Sequence, residues 1–340
     1  MRSPVVWATE VYQWCVRLHK RTIIFSILGV IAFIIGLLLI YASMFGAVVT
    51  YDEPEEFIVN PDTPIEEVAK GLKELNFIKS ELAFRLAYAA TGHGDITEGG
   101  YKISRSQDAW TIAEAFARPP YLAWIIVPPG MRKEQIGELL QRKLGWTDEQ
   151  LVSWNTVDTA VDATLIEGVY FGDTYLIPSD QSTEQVAKRM RGKFEEVFAP
   201  YAKEAAQKGL SWNEVITMAS LVERESARTD KALVAGIMWN RLDIGMALQV
   251  DATFQYIRGK SGNWWPAPRS EDKQIDSPFN TYKYPGLPPH PIANPSLDSI
   301  KAVLHPEETN CIYYLHDLDG EIHCSATYAG QRANVEKYLR

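Results

Sequence analysis

Residues 212–256 read WNEVITMASLVERESARTDKALVAGIMWNRLDIGMALQVDATFQY, and acid–base chemistry is most readily built in this stretch. Val215, Met218, Leu221 and Val222 recur at helical spacing, and Glu223 and Glu225 interrupt that apolar pattern. Side chains two residues apart on a helix do not face each other, so the pair is not a cooperating dyad on one surface. Each glutamate borders the apolar arc on its own side, and periodicity alone does not choose between them. Either one, laid over a hydrophobic wall, would have its carboxyl pKa raised by desolvation and become a general acid near neutrality. The competing reading is two surface glutamates paired with Arg224 and Arg228. Further on, Gln249 and Asp251 fall on a short extended run, LQVDAT.

Residues 264–295 hold eight prolines together with Trp264, Trp265, Tyr282 and Tyr284. A free linker this rich in proline would be extended. Interleaving with aromatics and Asn280 better suits a fixed loop lining a groove, where stiff backbone, flat rings and amide groups form a surface for a carbohydrate. Core aromatics with structural prolines are the plainer alternative. Cys311 and Cys324 flank CIYYLHDLDGEIHC, two β-prone runs around an Asp-Leu-Asp-Gly turn, and a disulfide between them is compatible with such a hairpin. His316 and His323 match no familiar zinc spacing and read as solvated hairpin residues; no metal is expected.

The elements that must position these residues follow an uncharged run of 27 residues, Ile23 to Val49, long enough as a helix to cross a bilayer. It is too long for the apolar part of a secretory signal. Lys20 and Arg21 precede it, and Asp52, Glu53, Glu55 and Glu56 follow. The positive-inside bias therefore predicts a single-pass membrane protein with a cytoplasmic N-terminus and residues 50–340 outside. The net charge of −9 divides accordingly: residues 1–49 carry +3 and the remainder −12, which excludes nucleic acid as the main partner. Cys15, on the cytoplasmic side, reads as a minor element of an amphipathic lead-in, with palmitoylation the lesser alternative.

Between 50 and 119 the pattern is strand, helix, helix, strand, helix: a small α+β module. Capping boxes are expected at Thr63-Pro-Ile-Glu66 and Thr111-Ile-Ala-Glu114, and a second helix begins at Ser80. From 120 onward comes a larger mixed α/β domain. It starts with a strand to Val127 and a helix through Leu144, and later holds an amphipathic helix from Glu184 to Val197 whose basic residues, Lys188, Arg189, Arg191 and Lys193, read as a solvated face.

Several ordered motifs together carry a resemblance. They are Ala219-Ser-Leu-Val-Glu-Arg-Glu-Ser226, Asn240-Arg-Leu, Leu248-Gln-Val-Asp-Ala-Thr253, Ser277-Pro-Phe-Asn-Thr-Tyr282 and Gly286-Leu-Pro-Pro289, with Gly130-Met131, Glu167-Gly and Asp173-Thr-Tyr175 upstream. In this order they resemble the endolytic murein transglycosylases, the YceG-like family. The resemblance implies an α+β chain with a transmembrane helix at 23–49 after a lead-in at 1–22, a LysM-like module at 50–119 and a catalytic domain at 120–340. It implies a lyase without cofactor, in which Glu225 is the catalytic acid and then base. Gln249, Asp251, Asn280 and Tyr282 would position the sugar or steady the acid, with Glu223 a further substrate-side candidate. Peptidoglycan glycan strands are the implied substrate and membrane peptidoglycan synthases the implied protein partners. Phe279 and His290 depart from the family pattern, which has Tyr at the first position and small residues at the second. A non-catalytic, wall-binding scaffold is the alternative from a different class.

Overall fold

The computed structural model describes residues 4–160, 166–227 and 229–340, with only the backbone of residues 4–24. The Cys15 side chain and Arg228, each singled out above, lie outside the described residues. The chain is mixed α+β and divides into two compact units, Met1–Leu122 and Ala123–Arg340.

In the first unit a continuous helix, α1 (Pro4–Phe45), carries a 21-residue apolar span, Phe25–Phe45, none of it buried by protein. By length and composition this helix can cross a membrane. The helix stops at Phe45, four residues short of the expected Val49, because Val48 and Val49 both donate their N–H to the carbonyl of Arg105. The rest of the unit is β1 (Glu55–Val59), α2 (Ile65–Glu74), α3 (Glu81–Ala90), β2 (Gly99–Ile103) and α4 (Ala109–Phe116). β1 and β2 pair antiparallel from Glu55↔Ile103 to Val59↔Gly99. Phe57, Leu72, Phe84, Ile103, Ile112 and Phe116 are among its buried core. Ser80 caps α3, accepting from Ala83 N at 3.3 Å. The other two caps differ from expectation. Pro64, with no side-chain hydrogen bond, precedes α2 in place of a Thr63 cap, and Asp108 caps α4 by accepting from Thr111 N at 2.8 Å. An aspartate placed just ahead of the threonine offers the stronger, charged acceptor.

β3 (Leu122–Ile126) begins on the last residue of the first unit, and the second unit continues with α5 (Lys133–Leu144), α6 (Asp148–Ser153), β4 (Thr174–Pro178), α7 (Thr183–Gln207) and α8 (Trp212–Glu225). It continues with α9 (Lys231–Asp243), α10 (Asp251–Arg258), α11 (Leu297–Leu304), β5 (Tyr313–His316), β6 (Ile322–Ser325) and α12 (Tyr328–Tyr338). β3 and β4 are neighbours in a sheet, and β5 and β6 form an antiparallel hairpin. α8 is the central helix: α7, α9, α10 and α11 all pack on it, and Val215 through Val222 are buried without a break.

Three local structures depart from the sequence reading. α7 extends ten residues beyond Val197, through Pro200, because Phe198 and Ala205 are buried against the core and packing outweighs the lost backbone bond. Its basic face is only partly solvated: Arg191 donates to the carbonyl of Asp158 at 2.9 Å. Of the expected extended run at 249–251 only Val250 is extended; Gln249 adopts a left-handed φ of 53° and Asp251 opens α10.

Candidate active site

α8 is launched by a reciprocal cap. Ser211 Oγ accepts from Glu214 N at 3.2 Å, and Glu214 accepts from Ser211 N at 2.8 Å. Fourteen residues later the helix ends at Glu225, with Ser226 already extended. Glu223 and Glu225 thus lie in the last turn, where they leave the buried stripe on two sides and enter two different surroundings.

Glu223 is fixed. Its Oε2 accepts from Lys231 Nζ at 2.8 Å, Ser296 N at 2.9 Å, and the hydroxyls of Ser296 and Ser299, each at 2.5 Å. Burial raises its carboxyl pKa, but the ammonium and the serine donors outweigh this and hold it below the usual range. With four donors on one oxygen, this carboxylate is engaged as an anchor between α8, α9 and the start of α11. Arg224 is not its partner; the guanidinium stacks 3.9 Å over the Trp265 ring.

Glu225 has the opposite environment. Burial pushes its carboxyl pKa up, and the charge of Asp251 adds to that; the Tyr314 hydroxyl, Ala252 N–H and Arg241 oppose it without reversing the direction. Its Oε2 accepts from Tyr314 Oη at 3.0 Å, while Oε1 has only a long contact of 3.5 Å from Ala252 N, in the first turn of α10. A half-buried carboxyl with one lightly engaged oxygen can deliver a proton and later take one back.

The other expected site residues divide into those that reach this carboxyl's surroundings and those that hold the loops. Tyr282 donates to Asp251 Oδ1 at 2.6 Å, joining the start of α10 to the proline-rich loop. Thr281 binds the two segments together: its carbonyl accepts from Gln249 N at 3.0 Å and its hydroxyl from Val250 N at 2.9 Å. Gln249 is exposed and holds a left-handed backbone, a costly conformation for a residue with a Cβ. Asn280 is 0% exposed, and its amide donates to the carbonyls of Asp272, Lys273 and Ile275 at 3.3, 3.2 and 2.9 Å. Its oxygen accepts from Tyr282 N at 3.1 Å. Asn280 therefore acts within the loop and presents nothing to a ligand.

The aromatic segment is fixed in the same way. Trp264 Nε1 donates to Glu138 at 3.1 Å and Trp265 Nε1 to Gln135 at 2.9 Å. Arg132 lies 4.0 Å from the Tyr256 ring and 4.9 Å from Trp264. Phe279 and His290 pack edge to face at 4.7 Å.

Glu167 is a rival acid by burial, its pKa pushed up to about 8 by desolvation and then by Glu134. It is wholly enclosed, however, accepting from Lys133 N at 3.1 Å and Asn294 Nδ2 at 2.7 Å, so no substrate reaches it. Its place is structural, ahead of the first turn of α5.

Sequence reasoning missed Tyr314, Arg241 and Lys231 as neighbours of the two glutamates. The signal for Arg241 was present in Asn240-Arg-Leu. Asn240 donates to the carbonyls of Thr309 and Cys311 at 2.8 and 3.0 Å, and Arg241 to those of Ile312, at 2.7 Å, and Leu248. The motif therefore clamps the chain that enters β5. Cys311 and Cys324 are joined in a disulfide with Cα atoms 5.8 Å apart, and Cys324 stands opposite Tyr314 in the hairpin. His316 and His323, expected to be solvated, are only partly so: they contact Asp230 and Asp317, each at 2.7 Å, and His323 stacks on Tyr338. Among the described residues, Asp317, Glu321 and His323 bring potential ligand atoms within 4.8 Å of one another, at the hairpin turn.

The model of the YceG-like family matches residues 57–337. An endolytic murein transglycosylase of Bacillus subtilis is 28% identical over 298 residues, covering 81% of this chain and 82% of the relative. Its namesake in Streptococcus pneumoniae is 26% identical over 311 residues, again 81% of this chain, and the match spans 56% of that longer protein. The crystal structure of a yceG-like protein from Listeria monocytogenes superposes with a TM-score of 0.61 at 23% identity, covering 83% of this chain and 98% of that one. At that identity the superposition speaks for the fold. With the family model matching most of its length, the chain belongs to the YceG-like family.

Proposed function

We propose that the protein is a membrane-anchored endolytic murein transglycosylase, cleaving the bond between MurNAc and GlcNAc in nascent peptidoglycan strands. The observation that carries this reading is the contrast between the two carboxyls ending α8. One is pinned as an anion; the other has a raised pKa and a lightly engaged oxygen. The names of the Bacillus and Streptococcus relatives support the substrate class.

In this mechanism protonated Glu225 gives its proton to the glycosidic oxygen as the bond to C1 breaks. The resulting carboxylate takes the proton of the MurNAc 6-hydroxyl as that oxygen bonds to C1. The products are a 1,6-anhydro-MurNAc end and a free GlcNAc hydroxyl, and Glu225 ends protonated as it began. No water is consumed. A second carboxylate, which hydrolytic glycosidases need as nucleophile or base, is dispensable when the attacking hydroxyl belongs to the same sugar. Asp251 and Tyr282 form the wall beside the acid. Gln249 reaches toward the sugar, and the aromatic segment around Trp264 and Trp265 supplies flat faces to the glycan.

In the same proposal α1 anchors the protein, with its N-terminus cytoplasmic and residues 50–340 outside. The strand–helix–helix–strand order of residues 55–103 supports a LysM-like module that holds glycan. Membrane peptidoglycan synthases are the partners that would supply uncut strands. The test is digestion of purified peptidoglycan by the full-length protein, with chain ends read by mass spectrometry. Anhydro ends that disappear in Glu225→Gln are the expected result. Reducing ends would make it a hydrolase, and no cleavage would leave a wall-binding scaffold.

A further inference from the structure

Tyr314 lies outside every motif that marked the site, yet its side chain donates the shortest hydrogen bond made to Glu225, 3.0 Å to Oε2. Its neighbours hold it from several directions. The strand β5 is clamped at its entry by Asn240 and Arg241, and Gln331 Nε2 of α12 donates to the Tyr314 carbonyl at 2.9 Å. Arg241 also faces the Tyr314 ring at 5.6 Å. Cys324, directly across the hairpin, is bonded to Cys311. A long acid side chain at the last residue of a helix has several rotamers open to it, and this hydroxyl meets it on one oxygen only.

We infer that Tyr314 is the positioning residue of the acid: by occupying Oε2 it leaves the transferable proton on Oε1, the oxygen beside the start of α10. The inference rests on the reading of Glu225 as the acid. A phenol suits this task because it stays protonated throughout; burial, then the negative charge of Glu225, raises the Tyr314 pKa well above its ordinary value. The hydroxyl thus donates to Oε2 both before and after proton transfer and takes no proton itself. When Glu225 is ionised the bond becomes charge-assisted and stronger, so Tyr314 also limits how far burial raises the acid's pKa. The other groups facing Glu225 are Asp251 and Ala252 N–H from α10, Arg241 from α9 and, through Asp251, Tyr282 from the proline-rich loop. None of them makes a side-chain hydrogen bond to Glu225 among the described residues.

The test is Tyr314→Phe in the full-length protein in detergent, which keeps the ring against Arg241 and removes only the hydroxyl. Glu225 is titrated by carbon NMR of carboxyl-labelled glutamate, assigned by its absence in Glu225→Gln, and kcat/KM for anhydro-end formation is followed against pH. The Glu225 titration and the falling alkaline limb of kcat/KM are both expected about one pH unit higher in the variant, the size of one lost hydrogen bond to a charged group. kcat falls about tenfold with KM unchanged, as for an interaction that matters at proton transfer. Thermal melting gives the folded fraction to which rates are referred. An unmoved titration while Glu225→Gln is inactive overturns this inference alone. Full activity of Glu225→Gln overturns the catalytic reading and the role of Tyr314 with it, whatever the titration does.

Discussion

Two carboxyl groups two residues apart at the end of one helix meet opposite surroundings. Glu223 points into a polar socket made by α9 and the start of α11, where one ammonium, two hydroxyls and a backbone N–H all converge on a single oxygen. Glu225 points between α10 and the β5–β6 hairpin, where one hydroxyl and one distant backbone N–H meet its two oxygens and burial raises its pKa. The helix offset of roughly 200° between them is enough to separate an anchor from an acid. Identical side chains with the same intrinsic acidity differ in role through the elements packed against each.

That contrast can be broken in order of expected effect. The catalytic reading predicts that Glu225→Gln lowers anhydro-end formation by about 10²–10⁴-fold, the usual range for removing a general acid, as measured on peptidoglycan ends. The same substitution leaves the denaturant midpoint unchanged or raised. An acid whose folded pKa is raised costs stability once pH exceeds its unfolded value, and the amide lifts that cost. Glu223→Ala should do the reverse, destabilising the fold by up to about 3 kcal/mol in urea titrations because the partly buried Lys231 is left without its carboxylate. Since the folded pKa of Glu223 is lowered, its contribution is present above the unfolded pKa and lost as pH falls through the folded value. The difference in stability between wild type and Glu223→Ala should therefore shrink on acidification below about pH 4.

The hairpin side sharpens the comparison further. Replacing Cys311 and Cys324 by serine opens a 13-residue loop and is expected to cost about 3 kcal/mol by chain entropy. Its effect on activity should exceed that of a surface change of equal stability cost, because Tyr314 is on the released strand. The smallest effect is expected at Gln249. Glycine there accepts the left-handed φ and should raise stability by up to about 1 kcal/mol. If the side chain reaches the sugar, KM rises at the same time.

Much of this architecture is legible locally. The Ser80 cap, the β5–β6 hairpin around its Asp-Leu-Asp-Gly turn and the apolar span within α1 each depend on a few adjacent residues and on periodicity. Where reading the chain fell short, a distant partner intervened. α7 continues past Pro200 because of buried Phe198 and Ala205, and α10 begins at Asp251 where an extended run is expected. Within the site, the apolar stripe of α8 narrowed the acid to two residues, and resemblance then favoured one. Asn280, expected near the sugar, is consumed by three carbonyls of its own loop. Neither hydrogen-bond satisfaction nor the identity of a partner 89 residues away, as for Tyr314 and Glu225, leaves a periodic trace.

Taken alone, the sequence determined the composition of the parts: one apolar helix, an acidic remainder, a helix ending in two glutamates, and an aromatic segment stiffened by proline. These follow from intrinsic hydropathy, chirality and backbone stiffness, which act between neighbours. Only the tertiary structure decided which glutamate is pinned and which is raised in pKa, because solvation and hydrogen bonding belong to the space around a side chain. That space is bounded by Lys231, Ser296 and Ser299 on one side and by Asp251, Arg241 and Tyr314 on the other.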